Sequence, residues 1–538
     1  MKQSFVTTSI RAGALLGLLI VPLGCTNLDE TPVSVITPGT FFRNEGEVLA
    51  ALAGVYAQLR STAPEGTIYD ANEVSTDEIV VPIRGPDWID NGQWIDLHNQ
   101  TWTPTSAAAS NFFNGGWNNA YTGVARANLF LASVEPITVA NKATLLAEGR
   151  ALRAFYYYIL MDFFGGVPIV TTTDVALRPR NTRREVFDFI ESELIAARDS
   201  GLPATWNAAN NGRFTKGAAD AILANMYLNA GVFTKDGAAG GISATAYNSC
   251  AGVTVTGGDA CAAAIAAADR ILTAGIYVLA DSFPQSFRAD NSTSRENIFV
   301  VKFIAKDGLG FGYDMATLHY CMYKNASPWN GFATLAQTYA AFDPADKRRR
   351  VILIGPQVDV LTGTPAFVRS GGSCPTSGGT PLVFTQTIDT ITSASEGEGP
   401  RIYKWPADPA HVSQNSGNDY AWFRLGEIYL IKAEALHVQG QDGPALTLLN
   451  NLRARTDPVA PALGAVSDAV ILSERLFELF GESKRRQDLI RFGKYTGRTD
   501  AASNIYGGKT ARPDYYVLFP IPQTQVNANP QLAQNPGY

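Results

Sequence analysis

The sequence predicts a mostly α protein that also holds a half rich in hairpins and long loops. Three observations carry this. Residues 145–170, LLAEGRALRAFYYYILMDFFGGVPIV, place Leu152, Phe155, Tyr156, Ile159, Leu160, Phe163 and Phe164 at three- and four-residue steps, the period of a helix apolar on nearly every face. Amphipathic runs recur at 44–60, 111–131, 183–198, 215–230, 262–273, 419–455 and 468–492. Between them, 73–104 and 276–418 lose the helical period; there Asp, Asn, Gly and Trp, or short β-branched runs broken by Gly, Pro and Ser, dominate. Such stretches form hairpins and long loops, where binding residues collect.

Each element follows from local chemistry. Arg150, Arg153 and Asp162 cut the central apolar run below the length of a bilayer span, so it is expected to be a buried spine whose charges pair with neighbouring helices. Gly165-Gly166 stops it and Pro168 prevents resumption. Asn44 is placed to cap the first helix. Residues 236–258 are rich in Gly, Ala and Ser and read as an exposed loop. In the 419–455 run, Trp422, Leu425, Gly426 and Tyr429 fit the W-x-x-L-G-x-x-Y opening of a tetratricopeptide repeat, and Ala445 falls in the second helix. The small glycine would admit a close second helix. The Pro- and Asn-rich end, 519–538, reads as an extended strap over the surface.

The 538 residues are 46% hydrophobic and 17% charged, with a formal net charge of -6, which is globular material with enough length for a large core. Mild acidity argues against nucleic acid, since a phosphate-binding face needs clustered Lys and Arg. The one basic run, Lys347 to Arg350, reads as solvated surface.

The N-terminus is a targeting segment. Lys2 and Arg11 flank an apolar run, Ala12 to Leu23, closed by Gly24-Cys25. That end resembles a bacterial lipobox, with Pro22 where leucine is usual and Leu23 beside it. Residues 1–24 would be removed and Cys25 lipidated, holding the protein on a membrane without a spanning helix; a plain secretory signal is the alternative. Residues 25–40 read as a tether. Four other cysteines, Cys250, Cys261, Cys321 and Cys374, permit three pairings in an exported chain, of which 250–261 with 321–374 is the most local.

Several blocks together resemble the SusD/RagB family of outer-membrane lipoproteins: Cys25 followed by Leu28-Asp29 and Pro32, RALRAFYYYILMDFFGGVPIV, NDYAWFRLGEIYLIKAEAL, LNNLRART, SERLFELFGESKRRQDLIRFG, and FPIPQTQVNANPQLAQNPGY. They span nearly the whole mature chain in the family's order. The resemblance implies a single SusD-like domain over 41–538. Its tetratricopeptide-like scaffold would occupy mainly 41–72, 105–275 and 419–495, and its irregular ligand lobe mainly 73–104 and 276–418. It also implies a surface-exposed binder that sits as a lid on a SusC-like TonB-dependent transporter and hands it oligosaccharide; some relatives handle peptides.

Sugar rings present apolar faces edged by hydroxyls, so a glycan binder wants aromatic platforms beside amide and carboxylate groups. Two stretches have this makeup, and the expected ligand-binding residues are Trp88, Trp94, Asp77, Asp90 and Asn91 from the first, and Tyr320, Trp329 and Asn330 from the second. Pro and Gly neighbours suggest exposed loop tips for Trp88 and Trp329. His98 and His319 lack any metal-ligand spacing and read as packed or hydrogen-bonded side chains, so neither a metal nor a cofactor is expected. Glu474, Glu478 and Glu482 recur at four-residue steps among Arg475, Arg485 and Arg486, which reads as an ion-pair network rather than acid/base catalysis. Gly507 to Thr510 mimics a phosphate loop without its first glycine or its context. No catalytic residue is expected. The rival from another class is a glycoside hydrolase using two carboxylates among Asp77, Glu78, Asp87 and Asp90.

Overall fold

The spine runs Lys142–Phe164, and every residue from Ala151 to Phe164 is buried. Its end is a change of backbone sign: Gly165 takes φ +74°, and its N–H still reaches Met161 O at 3.1 Å. The helices Asn114–Val134 and Arg183–Ser200 pack on either side of it. Its charges pair outward as expected. Arg150 and Arg153 both bond Glu193 of the flanking helix, at 3.0 and 2.5 Å, and Asp162 receives Arg486 at 3.1 Å.

A computed structural model describes residues 44–306, 308–496 and 510–538. The leader 1–24, Cys25, the tether 25–40 and Gly507 to Lys509 lie outside the described residues. Among the described residues, no helix is long and apolar enough to cross a membrane.

Side-chain caps set the helix starts. Asn44 Oδ1 accepts from Glu47 N at 3.0 Å to open Glu45–Ala57, and Thr182 and Glu185 form a reciprocal capping box for Arg183–Ser200. Thr215 and Ser467 likewise open Lys216–Leu228 and Asp468–Leu479. Helix pairs follow, Lys216–Leu228 with Ala260–Thr273 and Leu425–Val438 with Asp442–Arg453. One apolar cluster extends from Val48 to Leu532. The C-terminal strap closes over it: Phe519 N donates to Phe163 O at 2.9 Å, and the Tyr538 hydroxyl takes the Trp102 indole N–H at 2.9 Å. The strap contains one short helix, Gln523–Ala528. Both disulfides take the most local pairing, Cys250–Cys261 and Cys321–Cys374.

The structure corrects three expectations. Residues 420–424 are not helical; Tyr420–Arg424 is a strand, buried at all five positions and antiparallel to Asn297–Val301. YAWFR is rich in aromatics, which suit a pleated buried surface, and the helix begins only at Leu425. Gly426 therefore does not make room for a second helix. A Cβ there would meet Arg424 Nη1 at 2.4 Å and Glu478 Oε1 at 2.7 Å, so the glycine leaves space for an ion pair. The basic run is not solvated surface throughout either. Arg348 is fully buried against Asp346, Glu474 and Glu478, because its guanidinium completes a charge network inside the protein. Elsewhere the irregular half forms two-residue pairings, Ile352–Leu353 with Arg401–Ile402 and Gly355–Pro356 with Val383–Phe384.

The network joins the two parts of the molecule. Glu478 and Glu482 follow the expected pattern of pairing, but their partners come from distant segments. Arg424 bonds Glu478 and Glu482 at 2.7 Å each and Glu296 at 2.9 Å, while Arg455 bonds Glu296 and Glu478 at 2.6 Å each. Lys404 of the irregular half bonds Glu482, and Arg485 grips Asp77 with two bonds of 2.8 Å. Beside them, Glu73 and Glu78 accept from the backbone N–H groups of Ser483 and Gly481. Burial pushes both carboxyls up, Glu73 to about 7.

Removing one partner of a buried pair strands the other charge. Glu478→Ala should lose about 3–5 kcal/mol of unfolding free energy in urea, whereas Arg184→Ala, which opens an exposed pair with Asp188, should lose no more than about 0.5 kcal/mol. Similar losses for the two would contradict this account. Glu73 also predicts a pH dependence. Its folded-state value lies above the unfolded value of about 4.3, so the native state holds the proton more tightly. Its contribution is therefore present below pH ~4.3 and lost as pH rises toward 7. Glu73→Gln should flatten that loss, gaining on the order of 2 kcal/mol at pH 8 relative to pH 5; an unchanged slope refutes the assignment.

Candidate functional site

Residues 80–94 and 316–333, far apart in sequence, are sewn together by backbone bonds. Val80 and Ala333 exchange both N–H···O bonds at 2.8 and 2.9 Å. From that seam each stretch turns outward. Arg84 and Asp87 exchange backbone bonds of 3.1 Å around Gly85-Pro86, which throws Trp88 to Asn91 onto a tip. On the other side Trp329, Asn330 and Gly331 hang their N–H groups on the carbonyls of Met315, Leu318 and Ala316, at 2.7, 2.9 and 2.8 Å.

The backbone here is strained. Trp88, Asp90, Asn91, Ser327 and Asn330 all have positive φ, half of the ten such non-glycine residues among those described. Left-handed residues of this kind persist only where the surroundings over-determine them, and they gather at functional sites.

The two tryptophans at the tips meet. The Trp88 indole N–H donates to Trp329 O at 2.9 Å, and its ring lies on Gly331, where a Cβ would come within 2.2 Å of it. Both rings are half-buried rather than fully displayed at loop tips. Beside them Arg369 stacks on the Tyr320 ring at 3.4 Å from its centroid. The Tyr320 hydroxyl donates to Asp87, and Arg369 reaches Asp87 at 3.3 Å and Glu396 at 2.7 Å. Ile89, Asp90 and Asn91 are exposed.

Charges in this patch are settled. Burial works against ionisation of Glu396, but hydrogen bonds from His319 and Arg369 outweigh it and hold the carboxyl at about 2. His319 is lowered by its own burial, against the pull of Glu396. Its Nδ1 accepts from Cys321 N at 3.1 Å, so the ring proton sits on Nε2 and donates to Glu396 at 3.0 Å. Burial, then the bond to Asp87, raises the Tyr320 hydroxyl far above neutrality.

Three expected ligand residues are engaged inside the protein instead. Trp94 is buried against Phe112 and Phe332, with its N–H donated to Asp90 at 2.8 Å. Asn330 is fully buried; its oxygen accepts Arg401 at 2.9 Å and its amide donates to Glu396 O at 3.1 Å. Asp77 is held in the two-bond grip of Arg485. Each has its hydrogen-bonding groups taken up by neighbours. The structure brings Trp88, Trp329, Tyr320, Asp90 and Asn91 to one face. Sequence reasoning missed Arg369 and Glu396. The available signal was the 321–374 pairing, which draws Arg369 within five residues of a cysteine bonded next to Tyr320. Among the described residues, no group of three or more His, Cys, Asp or Glu is arranged to hold a metal ion.

The chain resembles several known proteins along most of its length. The family model described as "SusD family" matches residues 334–538, and one described as "Starch-binding associating with outer membrane" matches 50–228. The starch-binding protein SusD of Bacteroides thetaiotaomicron is 26% identical, with the alignment covering 100% of each chain. A SusD-like protein, P2, of Formosa agariphila is 23% identical over 97% of this chain and 98% of its own. A solved laminarin-binding SusD-like protein superposes with TM-score 0.68 at 23% identity, covering 92% of this chain and 100% of that one. Surface glycan-binding protein A from B. thetaiotaomicron, in complex with laminarihexaose, gives TM-score 0.69 at 21% identity, covering 91% and 99%. Two models of the SusD group thus match separate parts of this chain, and the solved neighbours share its fold of helical scaffold and irregular lobe.

Proposed function

We propose that this chain is a non-catalytic binder of oligosaccharides that works at the outer membrane and delivers its ligand to a SusC-like TonB-dependent transporter. The observation that carries the reading is the convergence of half-exposed Trp88 and Trp329 with the Tyr320–Arg369 stack on one preorganised face. Aromatic rings supply area for sugar faces, and Asp87, Asp90 and Asn91 on the rim supply partners for hydroxyls. Relatives named for starch, laminarin and glycan binding support the ligand class. In this reading Cys25 carries a lipid, residues 25–40 tether the body, and the protein faces the cell exterior.

A hydrolase would need two carboxylates at a working separation, one with a raised pKa. The surface carboxylates here already hold donors: Asp77 takes Arg485 on both oxygens, while Asp87 and Asp90 take theirs on Oδ2, from Tyr320 and Arg369 and from Trp94. Glu78 is buried against Gly481 N. That disposition favours binding over bond cleavage.

Trp88→Ala and Trp329→Ala should each weaken the best-bound member of a glycan and peptide panel at least tenfold, about 1.4 kcal/mol, by calorimetric titration. Affinity unchanged in both variants would refute the site, tight binding of peptides alone would refute the ligand class, and release of products from any oligosaccharide would refute the non-catalytic reading. Gly331→Ala should act at a distance of one contact. Its new Cβ displaces the Trp88 ring, costing about 1–3 kcal/mol of stability and shifting tryptophan emission, with glycan affinity falling alongside.

A further inference from the structure

Trp206 stands apart from the other tryptophans. Seven of the eight belong to, or pack against, the apolar clusters of the core; Trp206 belongs to none. It is half-buried on the loop between Arg183–Ser200 and Lys216–Leu228. Its ring is held by polar means: the Arg213 guanidinium stacks 4.0 Å from its centroid, and its N–H donates to Phe214 O at 2.9 Å. Arg213 is itself fixed by Glu148, at 3.0 Å from Nε. An indole so oriented, yet outside the core, is built to present a face.

It opens onto a cleft of about 390 Å³, within the ~300–1,000 Å³ typical of small-ligand sites. The cleft shares Asn211 and Arg213 with a neighbouring one of about 480 Å³ along the helix Glu45–Ala57. Its lining is rich in amides and hydroxyls, among them Asn207, Asn211, Ser292, Thr293 and Asn297. Its charged groups are matched: Arg213 by Glu148, Asp419 by Lys302, and Arg295 by the carbonyls of Gly275 and Ile276. Asn207 and Asn211 stand exposed at its rim, the Asn211 amide donating to Ser292 O. Exposed amides beside an aromatic ring offer the donors and acceptors that sugar hydroxyls use.

We propose that this cleft is a second carbohydrate-binding site, taking a short neutral oligosaccharide with Trp206 as its platform and Asn211 as a hydrogen-bond partner for a hydroxyl. It shares no residue with the Trp88–Trp329 face. The ligand class rests on the glycan reading above; the place does not. Two sites on one chain would hold a polysaccharide at two points and raise its avidity.

Calorimetric titration of the full purified chain with maltohexaose, laminarihexaose, cellohexaose and mannohexaose tests it. Wild type should bind two equivalents of at least one hexaose. Trp206→Ala and Asn211→Ala should each weaken one of the two at least tenfold while leaving the other, and the Trp88→Ala/Trp329→Ala double variant should do the reverse. A single equivalent that survives Trp206→Ala and Asn211→Ala overturns the second site alone. No binding of any hexaose overturns it together with the glycan reading. Circular dichroism checks each fold; if Trp206→Ala misfolds, wild-type crystals soaked in the bound hexaose decide, with sugar expected beside Trp206 and Asn211 and an empty cleft overturning the proposal.

Discussion

The structure depends on a lattice of buried charges around Glu478. Taking carboxylates and guanidiniums out of water is costly, and their attraction compensates only when every lone pair is used. Here the carboxylates come close to that demand: Glu478 receives Arg424, Arg455 and Arg348, and Glu296 receives Arg424 and Arg455, while Arg455 Nε is left without a partner. The participants come from both parts of the molecule. Arg348, Lys404 and Glu296 belong to the irregular half, while Glu478, Arg424 and Arg455 belong to the helical one. An apolar seam could slide; a set of paired ions cannot move one partner without exposing another. The loops that carry Trp88 and Trp329 therefore stand on a fixed base, and Asp77, locked to Arg485, ties the first of them to the last helices.

What was legible in the sequence were features whose cause is local. The spine announced itself because burial on all faces leaves an unbroken apolar run, and its three charges betrayed partners on neighbouring helices. Caps at Asn44 and the stop at Gly165 depend on a few adjacent atoms. Misreadings arose where distant residues decide. Tyr420–Arg424 pairs with Asn297–Val301 across more than a hundred residues, so a run contiguous with helix became strand. Arg348 looked like solvated surface because its three carboxylate partners include two from far along the chain.

The candidate site divides along the same line. Composition pointed to both tryptophan-bearing stretches, since the residue types that bind sugars are visible in any order. It could not say which members face outward. Trp94 and Trp88 are six residues apart in similar company, yet one is core and the other lies at the surface. Phe332 touches both rings; the difference is made by Phe112, which covers Trp94, and by Trp329 O and Gly331, on which Trp88 rests. Trp206 escaped notice for the opposite reason: its loop is ordinary in composition, and only the fold places Asn297 and Tyr277 near it. Preorganisation is common to both faces. Strained backbone holds one, and ion-paired Arg213 holds the other, so little ordering entropy remains to be lost on binding.

The central claim is that a rigid, charge-locked scaffold presents ligand from the irregular loops rather than from the helices that identify the chain. Hydrogen–deuterium exchange with and without saturating oligosaccharide measures this directly. The account predicts added protection at residues 85–91 and 316–331, with Lys142–Phe164 and Leu425–Val438 unchanged. Protection confined to those helices, with the two loops unaffected, would contradict it.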